Sequence, residues 1–146
     1  MKAVEGVELE KRSPVRFNKT IEMILIHLVP LLAFFTGVTT FDWIVAIILY
    51  FTRMFFITGF YHRYFSHRTF KTSRWFQFVM AFLAQTSMQK GVLWWGAHHR
   101  VHHRTSDKAP DPHSMKLYGV WYSHIGWILG PDYKDTDFEG ISDFSK

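Results

Sequence analysis

Two long apolar runs constrain the fold of this chain more than any other feature. The first covers residues 21–38 and the second residues 43–60, with eighteen residues in each. A helix of that length is about 27 Å long, close to the thickness of the hydrocarbon core of a bilayer. A buried helix of a soluble protein is the alternative. We expect two transmembrane helices, near residues 21–39 and 43–61, with a kink at Pro30 that membrane helices tolerate.

The distribution of Lys and Arg predicts how this helical hairpin is oriented. Residues 37–42, which link the two runs, contain neither Lys nor Arg, whereas basic residues flank both outer ends. Because cytoplasmic segments are enriched in Lys and Arg, both outer ends are expected in the cytoplasm. Residues 1–19 are charged and lack an apolar core, so we expect a polar cytoplasmic arm and no cleavable signal peptide.

Arg53 interrupts the second apolar run. An arginine at membrane depth is costly, and it usually faces a polar site or a protein partner. The alternative is a side chain that snorkels to the membrane interface. The sequence alone favours neither interpretation.

One short stretch carries three histidines at helical spacing. His99 lies three residues before His102 and four before His103. On a helix these intervals put the three rings on one side, while the last two diverge by about 100°. One such helix can therefore supply two neighbouring metal ions. A solvated basic face is the alternative, but cationic imidazoles repel one another, and neutral metal-bound imidazole removes that cost.

A second pair of histidines stands at the exit of the second apolar run. His62 and His67 are five residues apart, which separates them by about 140° on a regular α-helix. Both rings reach one site only if the helix ends or distorts between them. The point where a membrane helix leaves the bilayer is a natural place for such a distortion.

Composition narrows the choice of metal and partner. The chain has no cysteine, which excludes disulfides, thiolate zinc sites and iron–sulfur clusters on its own residues. Histidine and carboxylate ligands favour non-haem iron or zinc. The net charge of +5 suits nucleic acid or an anionic membrane, but fifteen Phe and six Trp in 146 residues favour lipid. We expect a lipid bilayer and no nucleic acid as partner.

Two further segments are expected at the membrane interface. Residues 75–95 begin apolar and become polar. We expect an interfacial helix here, because a further crossing would put the two groups of histidines on opposite sides of the membrane. Residues 118–129 form an aromatic stretch that is too short to span and suits the interface.

The remaining histidines and the acidic tail are interpreted as structural. His27 lies alone on an apolar face, and His124 has no partner at helical spacing. His113, in a loop with two prolines, is expected to be structural or to support a ligand. The carboxylates of the tail from Pro131 onwards are irregularly spaced, so we expect a solvated face there.

Together the two histidine motifs resemble those of the membrane fatty acid desaturases, specifically the acyl-CoA or acyl-lipid Δ9 class. Residues 61–68, YHRYFSHR, are similar to the first histidine box of that family. Residues 94–103, WWGAHHRVHH, are similar to its second box. DPHS at residues 111–114 and SHIGW at residues 123–127 also resemble family sequence, and the resemblance covers residues 20–146.

This resemblance implies a cofactor, an activity and a ligand set. The cofactor is a pair of iron ions held by histidines from three boxes, with O2 as co-substrate and cytochrome b5 or a ferredoxin as electron donor. The activity is removal of two hydrogens from the saturated acyl chain of an acyl-CoA or acyl-lipid, which leaves a cis double bond. His98 lies beside the second box and receives no ligand role. The ligands carried onto this sequence are His62, His67, His99, His102 and His103.

The fold that follows is an all-α, multi-pass integral membrane protein with its active site facing the cytoplasm. We expect a transmembrane helical hairpin, interfacial helices and a cytosolic helix that bears histidines. The 146 residues contain neither a third histidine box nor a second hydrophobic hairpin. We therefore interpret residues 20–146 as a partial desaturase domain, from a truncated frame, a fragment or a split protein, and expect the chain alone to be inactive.

Two other functions compete with desaturation. A histidine-box membrane hydroxylase shares the ligands but inserts oxygen into its substrate. A non-catalytic metal-binding membrane fragment is the alternative from a different class.

Overall fold

The computed structural model describes residues 17–144, whose regular elements are all helices and include no strand. This confirms the all-α prediction for the described part. The expected polar arm, residues 1–19, lies outside the described residues except for its last three, which belong to the first helix. The described residues form two compact units, one of residues 17–27 and 101–136 and the other of residues 28–100 and 137–144.

The first apolar run is helical but irregular. Helix α1 covers Phe17–Leu28, a 3₁₀ turn covers Val29–Leu32, and α2 covers Ala33–Thr36. Pro30 stands at the start of the 3₁₀ turn. Proline has no backbone N–H and clashes with the preceding turn, which accounts for the break at this point.

The second apolar run forms one long helix. Helix α3 covers Thr40–Phe56 and continues without interruption into a π-helical segment, Ile57–Ser66. The combined 27 residues are the one stretch of the described chain that is long and apolar enough to cross a membrane. The helix begins three residues before the expected boundary, because Thr39 and Asp42 form a capping box in which each side chain accepts the other's backbone N–H.

The π-helical segment supplies most of the core of its unit. Helix α4, Arg74–Gln85, packs against it, and α5 covers Val92–Thr105. The single helix expected over residues 75–95 is therefore two helices. Met88 and Lys90, between them, have φ of 57° and 64°, which no α-helix accommodates. The core residues are Phe60, Tyr61, Tyr64, Phe65, Met80 and Ala84.

Arg53 has a protein partner inside its own unit. Its Nε donates a hydrogen bond to the backbone oxygen of Thr86, at 3.2 Å, just beyond the end of α4. Of the two interpretations left open by the sequence, the structure supports the arginine that faces a partner.

The other unit contains the short aromatic helices. Helix α6 covers Met115–Trp121 and is broken at Gly119, whose φ of 76° is left-handed. A π-helical turn, Tyr122–Gly126, and α7, Trp127–Leu129, complete the stretch. The prediction of a short aromatic segment here corresponds to these three elements.

Candidate metal centre

The π-helical segment brings the first two candidate ligands together. The backbone N–H of His67 donates to the oxygen of His62 at 3.2 Å, a bond across five residues instead of the usual four. This register aligns two residues that a regular α-helix would separate by about 140°. The two ring centroids lie 4.7 Å apart. The helix distorts between the histidines, as their spacing required.

Helix α5 adds a third histidine to this pair. The ring centroid of His99 lies 4.7 Å from that of His62 and 5.5 Å from that of His67. The ligand nitrogens of the three rings lie within 4.8 Å of one another. Two nitrogens that share a metal at about 2.1 Å each lie up to about 4.2 Å apart, so small ring rotations suffice to bind an ion. The neutral nitrogen donors also suit iron, and the residues present therefore fit the metal.

Glycine allows α5 to approach the π-helical segment closely. A Cβ on Gly96 would lie 3.1 Å from the backbone oxygen of Phe65 and 2.9 Å from Cδ1 of Ile141. The neighbouring Trp95 stacks on the ring of His99 with centroids 4.5 Å apart. The close contact of the two backbones places His99 beside the histidines of the other segment.

An arginine next to His99 joins the same two segments. Arg100 donates through Nε to the oxygen of Ser66 at 2.7 Å and through its terminal nitrogens to both carboxylate oxygens of Asp143. Arg68 donates to the same carboxylate at 3.0 Å. The hydrogen bond from Arg100, reinforced by Arg68, lowers the pKa of Asp143 to about 2. Asp143 is exposed, as expected for the acidic tail, but its pairing with two arginines was not predicted.

The other two candidate ligands follow on the same helix. His103 lies one turn after His99 on the same helix. His102 diverges from His103 by about 100°. Its Nδ1 lies 2.8 Å from Oδ1 of Asp111.

Asp111 is fixed in place by several partners. It is 1% exposed and accepts backbone N–H bonds from Asp107 at 3.1 Å and His113 at 2.9 Å. Burial raises the pKa of its carboxyl, but the hydrogen bonds from His102 and the two amides outweigh burial and lower it overall. The ring of His113 lies 4.9 Å from that of His102 and 4.7 Å from that of Trp127.

The remaining histidines make local contacts. His27 is exposed, and its Nδ1 lies 2.7 Å from the oxygen of Met23 on the same helix. His98 stacks on Trp94 at 4.3 Å and donates through Nδ1 to the oxygen of that residue. Burial lowers the pKa of His98.

Sequence reasoning missed the residues that support the histidines. Two features of the sequence could have identified Asp111 as a supporting residue. It lies between two prolines, and it belongs to the segment DPHS, residues 111–114, which resembles family sequence. Arg100 stands inside the second motif, but nothing local identifies its partner Asp143, which is 43 residues away.

Comparison with known proteins identifies the family. A sequence model for fatty acid desaturases matches residues 41–136, which contain all five expected ligands. This chain belongs to the fatty acid desaturase family. The resemblance drawn from its histidine motifs is therefore confirmed, and the family is one of oxidoreductases that act in lipid metabolism.

Individual desaturases show how far the similarity extends. The chain is 40% identical over 106 residues to the sn-1 stearoyl-lipid 9-desaturase of Synechocystis sp., which covers 71% of this chain and 33% of that protein. It is 34% identical over 128 residues to the protein of the same name from Anabaena variabilis, covering 84% and 46%. Acyl-CoA desaturase 1 of Saccharomyces cerevisiae is 40% identical over 81 residues, covering 53% and 16%. The chain thus spans between a third and a half of the two stearoyl-lipid desaturases.

Proposed function

We propose that this chain carries part of the iron site of an acyl-lipid or acyl-CoA desaturase. The convergence of His62, His67 and His99 is the observation that carries the proposal. When bound, a pair of irons would supply, with O2, the power to break an unactivated methylene C–H bond, which no side chain provides. The proposed iron ligands are His62, His67, His99, His102 and His103.

The proposed reaction removes two hydrogens from adjacent carbons of a saturated acyl chain and leaves a cis double bond. O2 is reduced to two water molecules by these hydrogens together with two electrons and two protons. A separate carrier, such as cytochrome b5 or a ferredoxin, delivers the electrons. The names of the relatives support both a lipid-linked and a CoA-linked acyl substrate.

The chain's own residues hold and shield the ligands. The π-helical segment orients two imidazoles, and the close contact at Gly96 brings the third against them. Arg100 ties the backbone of the first motif, at Phe65 and Ser66, to the helix of the second. The stacked ring of Trp95 covers one face of His99 and keeps water from that side.

The proposed membrane arrangement follows the apolar segments. Residues 21–39 and 43–61 form a transmembrane hairpin, with the arm of residues 1–19 and the interfacial or cytosolic part, residues 62–146, on the cytoplasmic side. The exposure of large apolar side chains along α3 supports lipid contact, with Trp43 62% and Phe51 66% exposed. This exposed surface would be unfavourable in water.

A chimeric enzyme tests the function. The aligned segment of the Synechocystis sp. stearoyl-lipid 9-desaturase is replaced by the matching residues of this chain and expressed in a host that makes no unsaturated fatty acids. We expect a monounsaturated acyl product by mass spectrometry, its loss in the His99→Ala variant, and its retention in the control variant His27→Ala.

Two results would contradict the proposal. A hydroxylated product would identify a hydroxylase instead. Full activity of the His99→Ala chimera would show that the converging histidines do not form the site. Iron bound by the 146-residue chain, measured before and after the same substitution, gives a readout that is independent of turnover.

A further inference from the structure

We infer that Asp111 is a positioning residue that fixes the tautomer and orientation of His102, so that its Nε2 is the atom presented to the metal. The inference rests on the proposed function, since it concerns one of the proposed ligands. It assigns a role to a loop residue that lies outside both histidine motifs.

The contact between the two side chains determines which ring nitrogen carries the proton. Nδ1 of His102 lies 2.8 Å from Oδ1 of Asp111. An ionised carboxylate only accepts hydrogen bonds, so Nδ1 must be the donor. In the neutral ring the lone pair then resides on Nε2. A carboxylate in this position also restricts the rotation of the imidazole.

The carboxylate is itself immobilised. Asp111 is 1% exposed, and backbone N–H groups of Asp107 and His113 donate to its two oxygens. A carboxylate held by two backbone donors cannot follow His102 if the ring rotates. The loop of residues 107–113 therefore acts as a rigid support for one imidazole.

His102 is held by different contacts from those of the three converging histidines. The rings of His62, His67 and His99 contact one another within the unit of residues 28–100 and 137–144. Nδ1 of His102 contacts the Asp111 carboxylate, and its ring lies 4.9 Å from the ring of His113. The hydrogen bond to Asp111 is the contact that selects which ring nitrogen carries the proton.

Nuclear magnetic resonance of the metal-free 146-residue chain in detergent tests the tautomer directly. Ring nitrogens are labelled with ¹⁵N, histidines are kept neutral, and the signals of His102 are assigned by their loss in the His102→Gln variant. We expect the Nδ1–H tautomer in the unsubstituted chain and a mixture of tautomers in Asp111→Asn. The matched control is Asp107→Asn, which keeps the backbone donor and a left-handed φ of 59° that asparagine tolerates.

Ferrous iron titrated anaerobically into the same proteins gives the second readout. Asp111→Asn should weaken binding by about 10- to 100-fold, Asp111→Glu should recover part of the loss, and Asp107→Asn should leave binding unchanged. The Nε2–H tautomer in the unsubstituted chain, or equal losses in Asp111→Asn and Asp107→Asn, would overturn the inference. If Asp111→Asn does not fold, the tautomer of His102 in the unsubstituted chain tests the inference by itself.

The two readouts separate this inference from the proposed function. Normal iron binding with the wrong tautomer refutes the role of Asp111 alone. The expected tautomer together with iron binding that His99→Ala leaves unchanged refutes the proposed iron site, and with it the role of Asp111 towards a metal.

Discussion

Replacing Asp143 with asparagine is expected to destabilise the protein at neutral pH but not in strong acid. The two arginines hold the pKa of this carboxyl at about 2, against a usual value of 3.8. Each pKa unit corresponds to about 1.4 kcal/mol, so the upper bound is about 2.5 kcal/mol. The carboxylate is 32% exposed, and solvent screening reduces the expected contribution to about 1–2 kcal/mol.

The sign of the pH dependence follows from the direction of the shift. Because the pKa is lower in the folded state, the stabilisation is complete above the unfolded pKa of 3.8 and is lost as the pH falls towards about 2. Thermal unfolding in detergent, followed by circular dichroism, should show a Tm for Asp143→Asn about 3–6 °C lower near neutral pH. The difference should vanish once the pH is below the folded pKa of about 2.

The matched control makes the same chemical change at an exposed position. Asp135 is 85% exposed, and its carboxylate lies 3.7 Å from the amino group of Lys134. Asp135→Asn should leave Tm unchanged at both pH values. A Tm difference for Asp143→Asn that is the same at neutral and acid pH would refute the reasoning, because the charge would then not be its source.

Three further predictions test the site, the topology and the chain as a whole. Gly96→Ala should weaken ferrous iron binding by about tenfold, because its Cβ meets the backbone of the adjacent segment, whereas Gly91→Ala, which faces open space, should bind normally. Cysteines introduced at Val38 and at Asp107 should react with an impermeant reagent from opposite sides of the membrane, and labelling from one side would contradict the hairpin. The purified 146-residue chain should bind iron weakly and form no oleoyl product from a stearoyl substrate, because five histidines leave a dinuclear site short of ligands. Two tightly held irons per chain would contradict this prediction.

The hydrophobic pattern predicted the helices of this chain better than their boundaries. Apolar runs of eighteen residues identify helices from composition alone, and Pro30 marked the break in the first of them. The start of α3 depends on a reciprocal cap between Thr39 and Asp42, which the sequence analysis assigned to the linking turn. The break at residues 86–91 depends on left-handed residues that hydropathy does not reveal.

The sequence predicted the candidate metal ligands of the site, but it did not predict the residues that hold those ligands in place. The five-residue interval between His62 and His67 required a distortion, but it did not specify that the distortion is a π-helix. The pairing of Arg100 with Asp143 is a tertiary contact across 43 residues, and a single sequence contains no periodicity that reveals it. The sequence indicated Asp111 only as part of a short segment, residues 111–114, that resembles family sequence.

The π-helical register has a consequence for following the site in solution. The hydrogen bond that defines this register joins the backbone N–H of His67 to the carbonyl of His62, the same two residues whose rings converge. If the segment returned to a regular α-helix, that amide would change its acceptor and the rings would part by about 140°. The chemical shift and the exchange rate of this one amide proton therefore report whether the two imidazoles are assembled, without any metal, substrate or turnover in the sample.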